Sequence, residues 1–184
     1  MQFNRLLKQI RRSEIDLLIL HKMLATEDPG FYVAFANTSI AFAREMSKLS
    51  IIATHNLHCV EKNSRCIFKF DGNLEKVSSE GALSFYDLTD DSSSTYRQII
   101  SKQIEILMLI RDIAKESVEM CSALTGMSLS NARYITTLIP TDVLPLISDT
   151  ALFRLPFKSE KSLKDFLECA RCQNTFQFAL DMVA

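Results

Sequence analysis

The chain is similar to itself at an offset of 89 residues, and this constrains its fold more than any single motif. Ile15, Leu17, Leu18, Leu20 and Leu24 fall on Ile104, Ile106, Leu107, Leu109 and Ile113. Further on, Ala34-Phe35 falls on Ala123-Leu124, Ser39-Ile40 on Ser128-Leu129 and Ala43-Arg44 on Ala132-Arg133, while Met46 and Leu49 meet Ile135 and Leu138. A four-residue deletion in the second copy then brings the offset to 85, where Ile67-Phe68-Lys69-Phe70 meets Leu152-Phe153-Arg154-Leu155. Helices share a periodicity, so some agreement arises by chance. The aligned Ala-Arg pair and the aromatic-basic ending favour a duplication.

Each unit reads as helix, helix, turn, helix, helix and a short extended segment. Residues 3–25 and 97–115 carry an apolar stripe at i, i+3, i+4 spacing with basic residues opposite. Asp28-Pro29 ends the first long helix and starts the next, since proline is tolerated in the first turn. Cys66 to Phe70 alternates like a strand before Asp71-Gly72, Pro140 and Pro145 break the second copy, and 163–183 reads as a last helix with Leu163, Phe166, Leu167 and Ala170 on one side. Charge divides the chain as well: 10 basic and 7 acidic residues in 1–71, 1 and 5 in 72–96, 10 and 10 in 97–184. The expectation is an all-α chain of two tandem helical units with helix-turn-helix-like cores and short extended segments. The units are 1–71 and 97–184, joined by an acidic, serine-rich linker 72–96. Only 4 Gly and 4 Pro in 184 residues fit long helices better than a turn-rich β-sandwich.

A net charge of -1 advertises no global affinity for nucleic acid. No apolar run reaches the roughly 18 residues of a membrane span, and the amino terminus lacks the uninterrupted apolar core of a signal peptide. With 5 Cys, an odd number, and no secretory signature, the expectation is a reduced, cytoplasmic protein without a membrane partner. There is no Gly-rich phosphate loop, no nucleophile triad spacing and no paired-carboxylate motif, so an enzyme is not expected.

The segment with chemistry runs from Val118 to Leu138. Two short helices joined by about three residues, with Gly126 where positive φ is needed, make a helix-turn-helix pattern; Asn37 holds the equivalent place in copy one. Ser128 or Ser130 caps the second helix. That helix would present Ser130, Asn131, Arg133, Tyr134 and Thr137 outward while Leu129, Ala132, Ile135 and Leu138 pack inward. Arginine suits guanine and asparagine suits adenine in a major groove; the bland alternative is a solvated polar face on an ordinary core helix. In copy one, Arg44 and Lys48 share the face with Glu45, one acid against the job. Arg5, Lys8, Arg11 and Arg12 form a basic cluster that would neutralise phosphates, or a plain solvated face. Cys169 and Cys172 make half of a tetrahedral zinc site with no visible second half. His55 and His58 beside Cys59 offer a further metal pair, although isolated cysteines such as Cys59, Cys66 and Cys121 are more often core residues.

Residues 15–71, above all Leu17-Leu18-Ile19-Leu20, Leu24, Glu27-Asp28 and Cys66-Ile67-Phe68-Lys69-Phe70-Asp71, resemble FlhD, a subunit of the bacterial flagellar master activator FlhDC, whose relatives also switch on conjugative-transfer genes. The second half is similar to the amino-terminal part of the partner FlhC at Leu129 to Ile135 and Arg154-Leu155-Pro156-Phe157. The resemblance implies an all-α protein that joins an FlhC-like subunit in a hetero-oligomer, binds promoter DNA and recruits RNA polymerase. It implies Asp28 and Asn63 as matches to DNA-facing positions, an inter-chain disulfide at Cys66, and Cys169 and Cys172 as the first pair of FlhC's four-cysteine zinc site. The expected function is therefore a DNA-binding activator subunit. The rival is an interaction module that scaffolds or sequesters the FlhC-like chain without touching DNA, and a metal or redox sensor built on Cys169 and Cys172 is a third reading.

Overall fold

The structure, a computed structural model, describes residues 2–50, 66, 68–70, 94–139, 153–154 and 159–171. Its elements are α1 (Gln2–Glu27), α2 (Pro29–Ala36), α3 (Ile40–Ser47), β1 (Lys69–Phe70), α4 (Ser94–Glu116), α5 (Val118–Thr125), α6 (Leu129–Thr137), β2 (Phe153–Arg154) and α7 (Glu160–Arg171). The fold is all-α, the two strands amounting to two residues each. Among the described residues no helix is long and apolar enough to cross a membrane.

The long helices α1 and α4 are the frame. Leu6, Ile10, Leu17, Leu18 and Leu24 repeat at helical spacing along α1, and Ile99, Ile106, Leu107, Ile110 and Ile113 do so along α4; all ten are buried. Each such side chain contributes about 1.5–3 kcal/mol when withdrawn from water. The two helices pack against each other more extensively than any other pair. They run antiparallel: Ser13 Oγ donates to Glu105 Oε1 at 2.7 Å, and Lys102 Nζ reaches Asp16 Oδ2 at 3.3 Å. Ser13 and Lys102 fall on one another at the offset of 89, as do Asp16 and Glu105, so each contact joins one position in one half to the other position in the other half. Such crosswise pairing is the signature of an isologous, twofold-like interface. These bonds lie at the edge of the interface, with Ser13 buried and Lys102 half-buried, and they fix the register.

The strands follow the same rule. β1 and β2 pair antiparallel with Lys69 opposite Arg154 and Phe70 opposite Phe153. Lys69 and Arg154 are themselves equivalent at the offset of 85, so the ladder turns about that pair. Other contacts cross between halves too. Cys66 N–H donates to Leu124 O at 2.9 Å, Thr95 Oγ1 donates to Glu27 Oε1 at 2.9 Å, and α7 packs on α3. Buried residues from both halves form a single hydrophobic cluster, from Leu6 and Tyr32 to Ile135 and Leu163.

The expected linker ends sooner than its composition indicated. Ser94 to Tyr96 form the first turn of α4, because Thr95 and Tyr96 are buried: Thr95 bonds Glu27, and the Tyr96 ring lies edge-on to Phe31 and Phe35 at 5.2 and 5.4 Å. Residues 72–93, like His55, His58, Cys59, Asn63, Pro140, Pro145 and Cys172, lie outside the described residues. In α7, Leu163 is buried as the stripe required, and Lys164 pairs with Glu160 on the solvent side.

Candidate nucleic-acid interface

Two helix pairs have the same local construction. Asp28 caps α2 by accepting the Phe31 N–H at 2.9 Å; at its equivalent, Ser117 accepts the Met120 N–H at 3.2 Å to cap α5. Both helices end on a left-handed residue, Asn37 at φ 48° and Gly126 at φ 72°. Both following helices start on serine: Ser39 Oγ accepts from Phe42 N at 3.1 Å and Ser128 Oγ from Asn131 N at 3.2 Å. These caps are equivalent at the offset of 89. The chemistry is economical: a polar residue starts each short helix, and a residue tolerant of positive φ stops the first of each pair.

The turn between α5 and α6 is tied down further. Ser122 Oγ donates to Met127 O at 2.7 Å, Met127 N–H donates to Thr125 Oγ1 at 3.3 Å, and the Met127 side chain is buried in the turn. At the far end, Arg111 Nη1 of α4 donates to Leu138 O at 3.0 Å, satisfying a carbonyl at the carboxyl end of α6. Helix α6 is thus clamped at both ends. Ala132, Ile135 and Leu138 pack inward as the periodicity required, while Ser128, Ser130, Arg133 and Thr137 stand exposed and Asn131 and Tyr134 are half-buried. Leu129 does not turn inward: it is the first residue of the helix and 46% exposed.

On α3, Arg44 is exposed at the place equivalent to Arg133. Glu45 does not compete with it, because this half-buried acid is bound by Lys48 at 2.7 Å, and among the described residues Arg44 has no ion-pair partner. The α1 cluster is mostly open, with Arg5, Lys8 and Arg12 exposed and Arg11 half-buried near Cys66. Asp28 spends one carboxylate oxygen on its capping bond. Cys66 is a free thiol held against α5, and burial, with Glu14 and Cys121 nearby and Arg11 opposing, pushes it well above the ordinary thiol range. A thiol so suppressed is a poor nucleophile for disulfide formation. Cys169 belongs to α7, but its side chain is not among those described.

Sequence reasoning passed over His21. It lies fully buried among Tyr32, Phe35 and Phe68, with Nδ1 3.4 Å from Tyr32 Oη and Nε2 without a hydrogen-bond partner among the described residues. Burial lowers it to about 3, so the ring is neutral. The clue in the sequence was its position within the α1 stripe, where the equivalent residue is Ile110. Set against protein-family models, curated proteins and solved structures, the chain matches none.

Proposed function

We propose that the chain is a DNA-binding transcriptional activator subunit in which two helix-turn-helix-like units form an internal pseudo-dimer. It works in a hetero-oligomer with an FlhC-like partner, which recruits RNA polymerase to flagellar or conjugative-transfer promoters. One observation carries the reading: α5, the Gly126 turn and α6 hold Ser130, Arg133 and Thr137 exposed on a helix clamped at both ends, and α2, Asn37 and the Ser39-capped α3 hold Arg44 exposed at the equivalent place. A helix fixed in this way can enter a major groove without losing its own order. Arg133 then reads or braces a base edge, and Arg5, Lys8 and Arg12 with a basic partner neutralise phosphates. The net charge of -1 makes that partner necessary, since non-specific affinity comes mostly from phosphate neutralisation.

Crosslinked immunoprecipitation from the native host, comparing wild type with Arg133→Ala, tests the reading. Loss of a bidentate guanine contact costs about 1–3 kcal/mol, so promoter peaks should collapse in the variant. A second reading, the scaffold that holds or sequesters its partner, is favoured by the exposed apolar residues Phe31 and Met120. It predicts peaks indifferent to Arg133.

A further inference from the structure

We propose that the exposed faces of α2 and α5 are two equivalent docking sites for a basic amphipathic helix, so that one chain takes two copies of the same partner. The proposal stands whether or not α6 reads DNA. Large exposed apolar residues are Met23, Phe31, Ile40, Met120, Leu129 and Ile139 among the described residues. Single ones need no explanation, but four of these fall into two pairs at the offset of 89, Phe31 with Met120 and Ile40 with Leu129. The surrounding positions have diverged, with Tyr32 against Cys121 and Val33 against Ser122. Ile40 and Leu129 open the helices that carry Arg44 and Arg133, where an aliphatic side chain can meet a thymine methyl group. Phe31 and Met120, 41% and 42% exposed, stand on the preceding helices and are left over.

Their surroundings agree in chemistry. One turn on lie Ala34 and Ala123, and Glu27 and Glu116 close the preceding helices α1 and α4 just before the capping residues, all four exposed and equivalent in pairs. Asp28 and Glu119 are exposed nearby. Glu27, Asp28 and Glu119 accept hydrogen bonds from Thr95 Oγ1, Phe31 N–H and Ser117 Oγ, but among the described residues none of the four acids has an ion-pair partner. Neither α2 nor α5 contains a basic residue. Each face is thus an apolar anchor beside exposed acids that outnumber the one nearby cation, Lys115 next to Glu116, and it fits a helix with apolar residues on one side and Lys or Arg beside them. Phe31 is already held in place by Tyr96 at 5.2 Å and Phe35 at 6.4 Å, which lowers the ordering cost of using it as an anchor.

Calorimetric titration of the full chain with an amphipathic Leu/Lys peptide tests this, with the same peptide carrying Glu for every Lys as control. Two peptides per chain are expected, with no binding of the acidic control. Phe31→Asp and Met120→Asp should each weaken one site at least tenfold, and the double variant both. No binding, a single site, equal binding of the acidic peptide, or two intact sites in the double variant overturns the proposal. Should the double variant lose its helical circular dichroism, Glu27→Lys with Glu116→Lys asks the same question at exposed positions. There, unchanged affinity overturns it. Neither result bears on promoter occupancy, so this proposal and the DNA reading fail separately.

Discussion

His21 shows how one residue sets a condition on the whole fold. Burial holds its imidazole near a pKa of about 3, against 6.5 in an unfolded chain. Between those values the unfolded state binds a proton that the native state refuses, so stability is unaffected above pH 6.5 and falls as the pH drops through the window. The slope is about 1.4 kcal/mol per pH unit, which amounts to about 2 kcal/mol lost by pH 5. His21→Leu should remove that slope, and urea unfolding at a series of pH values reads it; parallel pH dependence in variant and wild type would mean the ring is not buried neutral. Glu105 acts lower down. Burial alone would raise its carboxyl, but bonds from Lys102 and Ser13 outweigh that and lower it, so its stabilisation is present above the ordinary carboxylate range and lost as pH falls below it. The left-handed caps give a second residue-scale test. Among the described residues, and its chain neighbours aside, nothing lies within 4 Å of a Cβ placed on Gly126, so Gly126→Ala costs the left-handed strain, about 1 kcal/mol. Asn37→Gly, at φ 48°, should gain a fraction of that. Denaturation midpoints moving in opposite directions are the expected outcome.

At the scale of the element, α6 depends on its ends. Ser128→Ala removes the acceptor for Asn131 N–H and should cost about 1 kcal/mol. Ala132→Leu forces a larger side chain into a fully buried site and should cost about 1–3 kcal/mol. Thermal unfolding separates the two, since an overpacked helix is displaced as well as weakened and should lose promoter binding beyond its loss of stability. Much of this element was legible beforehand. The places of Gly126, Asn37, Ser128, Ala132, Ile135 and Arg133 follow from spacing and cap chemistry, which act within a few residues. Leu129 was misread because periodicity says which face a residue shares, not how far the neighbouring element extends to cover its first turn. Ser94 to Tyr96 were misread as linker because their composition is turn-like, and it is the burial of Thr95 and Tyr96 against the first half that makes them helical.

For the whole molecule, the offset of 89 was legible but its spatial meaning was not. Nothing local to Ser13, Asp16, Lys102 or Glu105 announces that they meet crosswise, or that Cys66 hangs from Leu124. Those contacts link residues far apart in sequence, and they make the two halves share one core instead of holding one each. A shared core has a mechanical consequence. Leu17 is fully buried in α1, against which α4 packs, so Leu17→Ala should cost about 2–5 kcal/mol wherever the loss is sensed. If the halves were independent domains, the cost would stay in the first. With one core, the slowest-exchanging amides of α4, α5 and α6 should speed up by the same factor as those of α1, about 30-fold or more, since every 1.36 kcal/mol is tenfold. Hydrogen exchange read by mass spectrometry resolves the helices separately. Unchanged protection in α4 to α6 would show that the crosswise contacts are ornamental. Matched acceleration would mean that anything gripping one half stiffens the other, the condition under which two equivalent faces on one chain cooperate.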